Sequence, residues 1–215
     1  MKKYILTAVV LLSIASCGGE KKEEVAKNET ETKTAPSAEK PVSEPATVSA
    51  PVPEAPKVSL VSDVSTLQKA EAALKELPKF KGKEIMVFQN IHFYGNDANM
   101  IIVTLQDPDK PENVDEYKFT GGEWQAPNPV TLTGKGNMSA NVFPLSSIKF
   151  ETVANIQKQL DEKAKTVEGV ELDGHIYLVL LSGGEKKWYT QIKGTRESFS
   201  GYFKPDGTLR EFKKN

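Results

Sequence analysis

Few residues in this chain have both the type and the spacing for chemistry. The chain has one cysteine, Cys17, so no disulfide forms within it. Its two histidines, His92 and His175, fall short of the four Cys or His ligands of a structural zinc site or the usual three of a catalytic one. The acidic run Asp107-Pro-Asp109-Lys-Pro-Glu112-Asn-Val-Asp115-Glu116 lacks the sixth-position glycine and twelfth-position glutamate of an EF-hand loop, and reads as a solvated turn. No serine sits in a Gly-x-Ser-x-Gly elbow or a Ser-x-x-Lys arrangement. Gly134-Lys-Gly136 is too short for a phosphate loop. The expectation is a protein that is not an enzyme and holds no metal or cofactor.

The context of Cys17 gives it a role. Lys2 and Lys3 precede the apolar run Tyr4 to Ile14, and Ala15 and Ser16 follow, the three-part build of an export signal. The run is short of the roughly 20 apolar residues needed to cross a bilayer. Ile14-Ala15-Ser16-Cys17 resembles the lipobox of bacterial lipoproteins. That resemblance implies cleavage after residue 16, a thioether-linked diacylglycerol on Cys17, and attachment to a membrane of the cell envelope, the outer membrane first. Two or more acyl chains, at roughly 0.8 kcal/mol per buried methylene, make such attachment stable.

Residues 17–57 hold no aromatic, Leu or Ile, and carry prolines at 36, 41, 45, 51, 53 and 56. Six Lys against eight Glu nearly balance in Gly18 to Lys57. Such a stretch buries no core and is expected to be a disordered tether. Within it, Lys22-Glu23-Glu24 resembles the surface-export signal of lipoproteins in the Bacteroidetes.

From Val58 onward the chain is long enough for one buried domain or two small ones. Of its charges 20 are basic and 21 acidic, which leaves no electrostatic footprint for nucleic acid. Tyr94 to Pro129 is acidic and the last thirty residues basic, which suggests complementary halves packing together.

Val64, Leu67, Ala70, Leu74 and Leu77 recur at helical spacing, predicting a helix over Ser65 to Leu77, with Ser65 and Gln68 as a capping box and Pro78 as the stop. Val153, Ile156, Leu160, Ala164 and Val167 predict a second over Ile148 to Val167. Strand patterns run over 85–93, 99–106, 117–120, 172–181, 187–193, 198–203 and 208–212, with a short one at Trp124. Gly121-Gly122, Gly183-Gly184 and Pro205-Asp206-Gly207 mark turns.

The halves read as one unit written twice. His92-Phe93-Tyr94 answers His175-Ile176-Tyr177, Phe119 answers Phe203, Gly122 answers Gly207 and Trp124 answers Leu209. The expected fold class is α+β, with two tandem αββββ-like repeats in one or two packed layers. The first repeat spans 58–130, a Gly- and Pro-rich connection 131–146, and the second repeat 147–215. The unit resembles the small helix-plus-antiparallel-sheet modules of the PepSY and beta-lactamase-inhibitor-protein type, from which no functional residue is carried over.

Strand alternation then places Ile85, Val87, Ile91 and Phe93, with Ile176, Leu178 and Leu180, on the face toward the helices. The opposite face carries Asn90, His92, Tyr94, His175 and Tyr177. The last four are the candidate binding face, for an envelope protein or peptide partner. A structural or assembly role in the envelope, or a hydrolase with paired carboxylates brought together by the fold, are the alternatives.

Overall fold

The computed structural model describes residues 58–134 and 136–215. The expected signal, Cys17 and the tether lie outside them. Among the described residues no helix is long and apolar enough to cross a membrane.

Two helices and a ten-stranded antiparallel sheet make up the fold. Helix α1 (Val64–Lys75) precedes β1 (Met86–Tyr94), β2 (Met100–Gln106), β3 (Val114–Thr120) and β4 (Glu123–Trp124). Two short strands follow, β5 (Asn128–Val130) and β6 (Val142–Pro144). Helix α2 (Thr152–Ala164) precedes β7 (His175–Leu180), β8 (Lys186–Lys193), β9 (Ser198–Phe203) and β10 (Leu209–Lys214). The strand order is β10-β9-β8-β7-β1-β2-β3-β4, so the two four-strand runs meet along β1 and β7 in mirror order.

Helix α1 starts one residue before its expected start, and the cap differs. Asp63 accepts from the Thr66 backbone N–H at 3.1 Å and from its hydroxyl at 2.6 Å. A carboxylate two residues before Ser65 takes the free donors that the Ser65 and Gln68 box was expected to take. Leu67, Ala70 and Leu74 are buried, whereas Val64 lies before the inward stripe begins and is 44% exposed. Helix α2 is shorter than expected. Leu145–Ser147 form a turn of 3-10 helix, so Ile148 and Phe150 reach the core from outside the helix.

One core holds the molecule together, with both helices on the same face of the sheet. Two rows of inward side chains cross it. Tyr117, Val103, Ile91, Leu178, Trp188, Phe203 and Leu209 are successive neighbours across seven strands. The parallel row runs Trp124, Phe119, Ile101, Phe93, Ile176, Thr190, Gly201 and Phe212. The expected inward rows of β1 and β7 hold: Ile85, Val87, Ile91, Phe93, Ile176 and Leu178 are buried and Leu180 packs at the margin. Glu71, buried on α1, accepts from the Phe150 backbone N–H at 2.8 Å, tying α1 to the segment that leads into α2, and pairs with Lys75 one turn on.

The end of the first repeat, and the 131–146 stretch expected to be a mere connection, both contribute strands. Asn128–Val130 pair with β3, Val142–Pro144 pair with β1, and Phe143 and Leu145 are buried. Two apolar residues in a Gly- and Pro-rich run give no periodicity, so only tertiary pairing reveals them. The charges also behave differently from expectation. Lys79 bridges Asp107 at 3.0 Å and Asp115 at 2.8 Å, and Lys83 reaches Asp109 at 2.7 Å, all within the first half. At the basic end Arg210 pairs with Glu185 at 2.6 Å, and Lys214 pairs with Glu197. These pairs stay within their own halves, Lys149 reaches Glu71 across the halves at 3.7 Å, and the halves join along the strand pair β1–β7, apolar on its helix side and aromatic and polar on the other.

Candidate functional site

The face of the sheet away from the helices carries its own row. Because side chains alternate along each strand, the residues between the buried ones in β1, β7, β8 and β9 fall in line. His92 opposes Ile102 of β2 on one side and Tyr177 of β7 on the other. Tyr177 opposes Tyr189, and Tyr189 opposes Tyr202. All are half-buried. Centroids along the aromatic part are 5.1 Å from His92 to Tyr177, 5.1 Å from Tyr177 to Tyr189 and 5.2 Å from Tyr189 to Tyr202. These steps match the spacing of neighbouring strands, so the row is one continuous contact chain across four strands.

The four residues singled out in sequence come together at the join of the halves. Tyr94 opposes His175 across β1 and β7, one row from His92 and Tyr177. The Tyr94 and His175 rings stack at 4.4 Å, 3° from parallel. The His92 and His175 rings are near-parallel with centroids 5.2 Å apart. Their facing nitrogens, His92 Nδ1 and His175 Nε2, are 2.9 Å apart, so one ring's N–H donates to the other's lone pair. That bond requires at least one neutral imidazole.

Burial, then the neighbouring His175, lowers the His92 pKa to about 4. Burial lowers that of His175 too, against a small opposing pull from Asp173. Burial, then Tyr189 and Tyr202, raises that of Tyr177. At neutral pH the centre of the face is uncharged and rich in groups that can donate or accept.

Charge enters at the β9 end. Lys187 Nζ sits 4.6 Å and Lys213 Nζ 5.3 Å from the Tyr202 ring centroid, cation–π distances. The Tyr189 hydroxyl hydrogen-bonds Ser200 at 3.2 Å and accepts from Gln191, which fixes the ring in the row. Among the described residues no three of His, Cys, Asp and Glu are placed to hold a metal ion.

Tyr189 and Tyr202 extend the face and were not singled out from sequence. Their signal was the same alternation that placed Tyr177: each sits between buried residues, Trp188 and Thr190 for one, Gly201 and Phe203 for the other. Asn90 lies on the outward side as expected, beside a cleft midway along β1. The chain matches no family model, no curated protein and no solved structure.

Proposed function

We propose that the chain is a bacterial envelope lipoprotein, anchored through lipid on Cys17 and placed first at the outer membrane. Its folded part is a non-catalytic module that binds a protein or peptide partner on the open face of the sheet. The observation that carries the binding reading is the row His92, Tyr177, Tyr189 and Tyr202, with Tyr94 and His175 beside it, half-buried on the side away from the helices. Aromatic side chains with polar tips rest against water at low cost and offer large rigid area to a partner. At one end of the row Lys187 lies over Tyr202, with Lys213 paired to Glu211 beside it, so that end offers a partner charges of both signs.

The folded part further reads as a duplication of an αββββ unit of PepSY type. In its support, each half runs helix then four strands in mirrored order, and the turns before Trp124 and Leu209 both end on a glycine of positive φ, 89° at Gly122 and 83° at Gly207. Phe119 pairs with Trp124 as Phe203 pairs with Leu209. In this register the counterpart of Phe93 is Leu178, about 85 residues on. His92 then corresponds to Tyr177, two places away from the 83-residue match between the histidines.

The test is capture from native envelope with the full chain and its Tyr94→Ala/Tyr177→Ala double variant. The wild type is expected to recover one stoichiometric partner. The double variant is expected to lose it while keeping its melting temperature within a few degrees. Recovery of many components or of peptidoglycan would instead favour a structural role. For the anchor, Cys17→Ser is expected to leave uncleaved precursor or release the protein from the detergent-soluble membrane fraction. Unchanged membrane yield without acylation overturns the lipoprotein reading.

A further inference from the structure

Strand β1 has β2 along one edge, but two strands in turn along the other. Strand β6 pairs with Met86, Val87 and Phe88, and β7 pairs with Asn90 through Tyr94. The hand-over falls on Gln89, where the register against β2 also slips between Val87 and Ile91. Gln89 has φ 60°, in the left-handed region that a glycine enters freely and a side chain enters at a cost of roughly 1 kcal/mol or more. An exposed glutamine at this bend therefore strains the backbone without filling the core.

Two clefts meet there. One of about 450 Å3 is lined by Gln89, Asn90, Asn141, Val179, Leu181 and Ser182 among others. The other, about 250 Å3, shares Gln89 and Asn141 and adds the apolar Phe88, Leu132 and Met138. Among the described residues no ionisable side chain lines either cleft. Gln89 Nε2 donates to Asn141 Oδ1 at 3.2 Å, and Asn141 Nδ2 donates to the Asn137 carbonyl at 2.8 Å. This leaves the Gln89 side-chain oxygen free to accept. The half-buried Asn90 carboxamide has no protein partner among the described residues, so a donor and an acceptor stand open at the cleft wall.

We propose that this cleft binds a small ligand through a secondary amide, the acetamido group of an amino sugar or a peptide unit. A secondary amide presents an N–H and a C=O, which carboxamides answer with an acceptor and a donor. Phe88, Leu132 and Met138 supply an apolar wall for the methyl or side chain beside the amide. The site is separate from the aromatic row and does not rest on the partner-binding reading.

The experiment is an amide NMR titration of the full chain with three probes: N-acetylglucosamine, N-acetylalanine N-methylamide and glucose. The two amides are expected to shift the Gln89, Asn90 and Asn141 side-chain signals and to bind about tenfold or more tighter than glucose, which lacks the amide. The tighter of the two identifies the source as glycan or peptide. Asn90→Ala is expected to remove the preference for amides. Gln89→Gly is expected to weaken binding while the urea midpoint stays level or rises, a combination that a merely structural glutamine does not give. The Tyr94→Ala/Tyr177→Ala variant is expected to titrate as wild type, which separates this site from the partner face. The proposal is overturned if glucose binds as well as the amides, if neither amide saturates at tens of millimolar, or if both cleft variants bind as wild type.

Discussion

The two faces of the sheet use aromatic residues in opposite ways. Toward the helices, Phe93, Phe150 and Trp188 are fully buried, with Phe93 edge-on to Phe150 at 5.1 Å and near Trp188 at 5.8 Å. Away from the helices, His92, Tyr94, His175, Tyr177, Tyr189 and Tyr202 are half-buried and each carries a polar atom. Removing a ring from the first group leaves a cavity, because close-packed surroundings relax only in part. Removing one from the second opens space that water can fill. A sheet stabilised by one face is free to vary the other, so the open side can carry a binding role at little cost in stability.

The largest test of that difference is Trp188→Ala. It removes a fully buried ring and its Nε1 hydrogen bond to the Pro205 carbonyl at 3.1 Å. The expected loss is about 3–5 kcal/mol in urea unfolding. A loss under about 1 kcal/mol would show the helix-covered face to be no more tightly packed than the open one.

Protonation comes next. Because the folded-state pKa of His92 is lowered, to about 4, the unfolded chain binds its proton first as pH falls below the ordinary histidine range. The stability contributed is therefore complete above about pH 6.5 and declines toward pH 4. The half-exposed ring is screened by water, so about 1–2 kcal/mol is the expected span. His92→Gln, compared with wild type by urea midpoints from pH 7.5 to 4.5, is expected to flatten that part of the curve. Identical slopes would mean that the histidine pair is solvated as it is in the unfolded chain.

On the open face the smallest change is the loss of one hydroxyl. Tyr189→Phe keeps the ring in the row and removes the hydroxyl that bonds Ser200 and Gln191. About 0.5–1.5 kcal/mol is expected, less if water replaces the hydroxyl. Partner capture should persist if the ring supplies the contact and fall if the hydroxyl does.

Local pattern made much of this molecule legible. Helical spacing from Leu67 to Leu74 and from Val153 to Ala164 located both helices, and alternation over β1 and β7 assigned His92, Tyr94, His175 and Tyr177 to one side. These signals survive in sequence because each depends on neighbours a few residues away. The pairing of the two halves along β1 and β7 joins residues 83 apart and puts two imidazole nitrogens at 2.9 Å. No local period encodes that contact. Nor does one encode the burial of Phe143 from a stretch without pattern, or the left-handed turn at Gln89. Types and spacing decide which face a side chain occupies. Only long-range strand pairing, whose cost in chain entropy is met by the shared core, decides which side chains meet there.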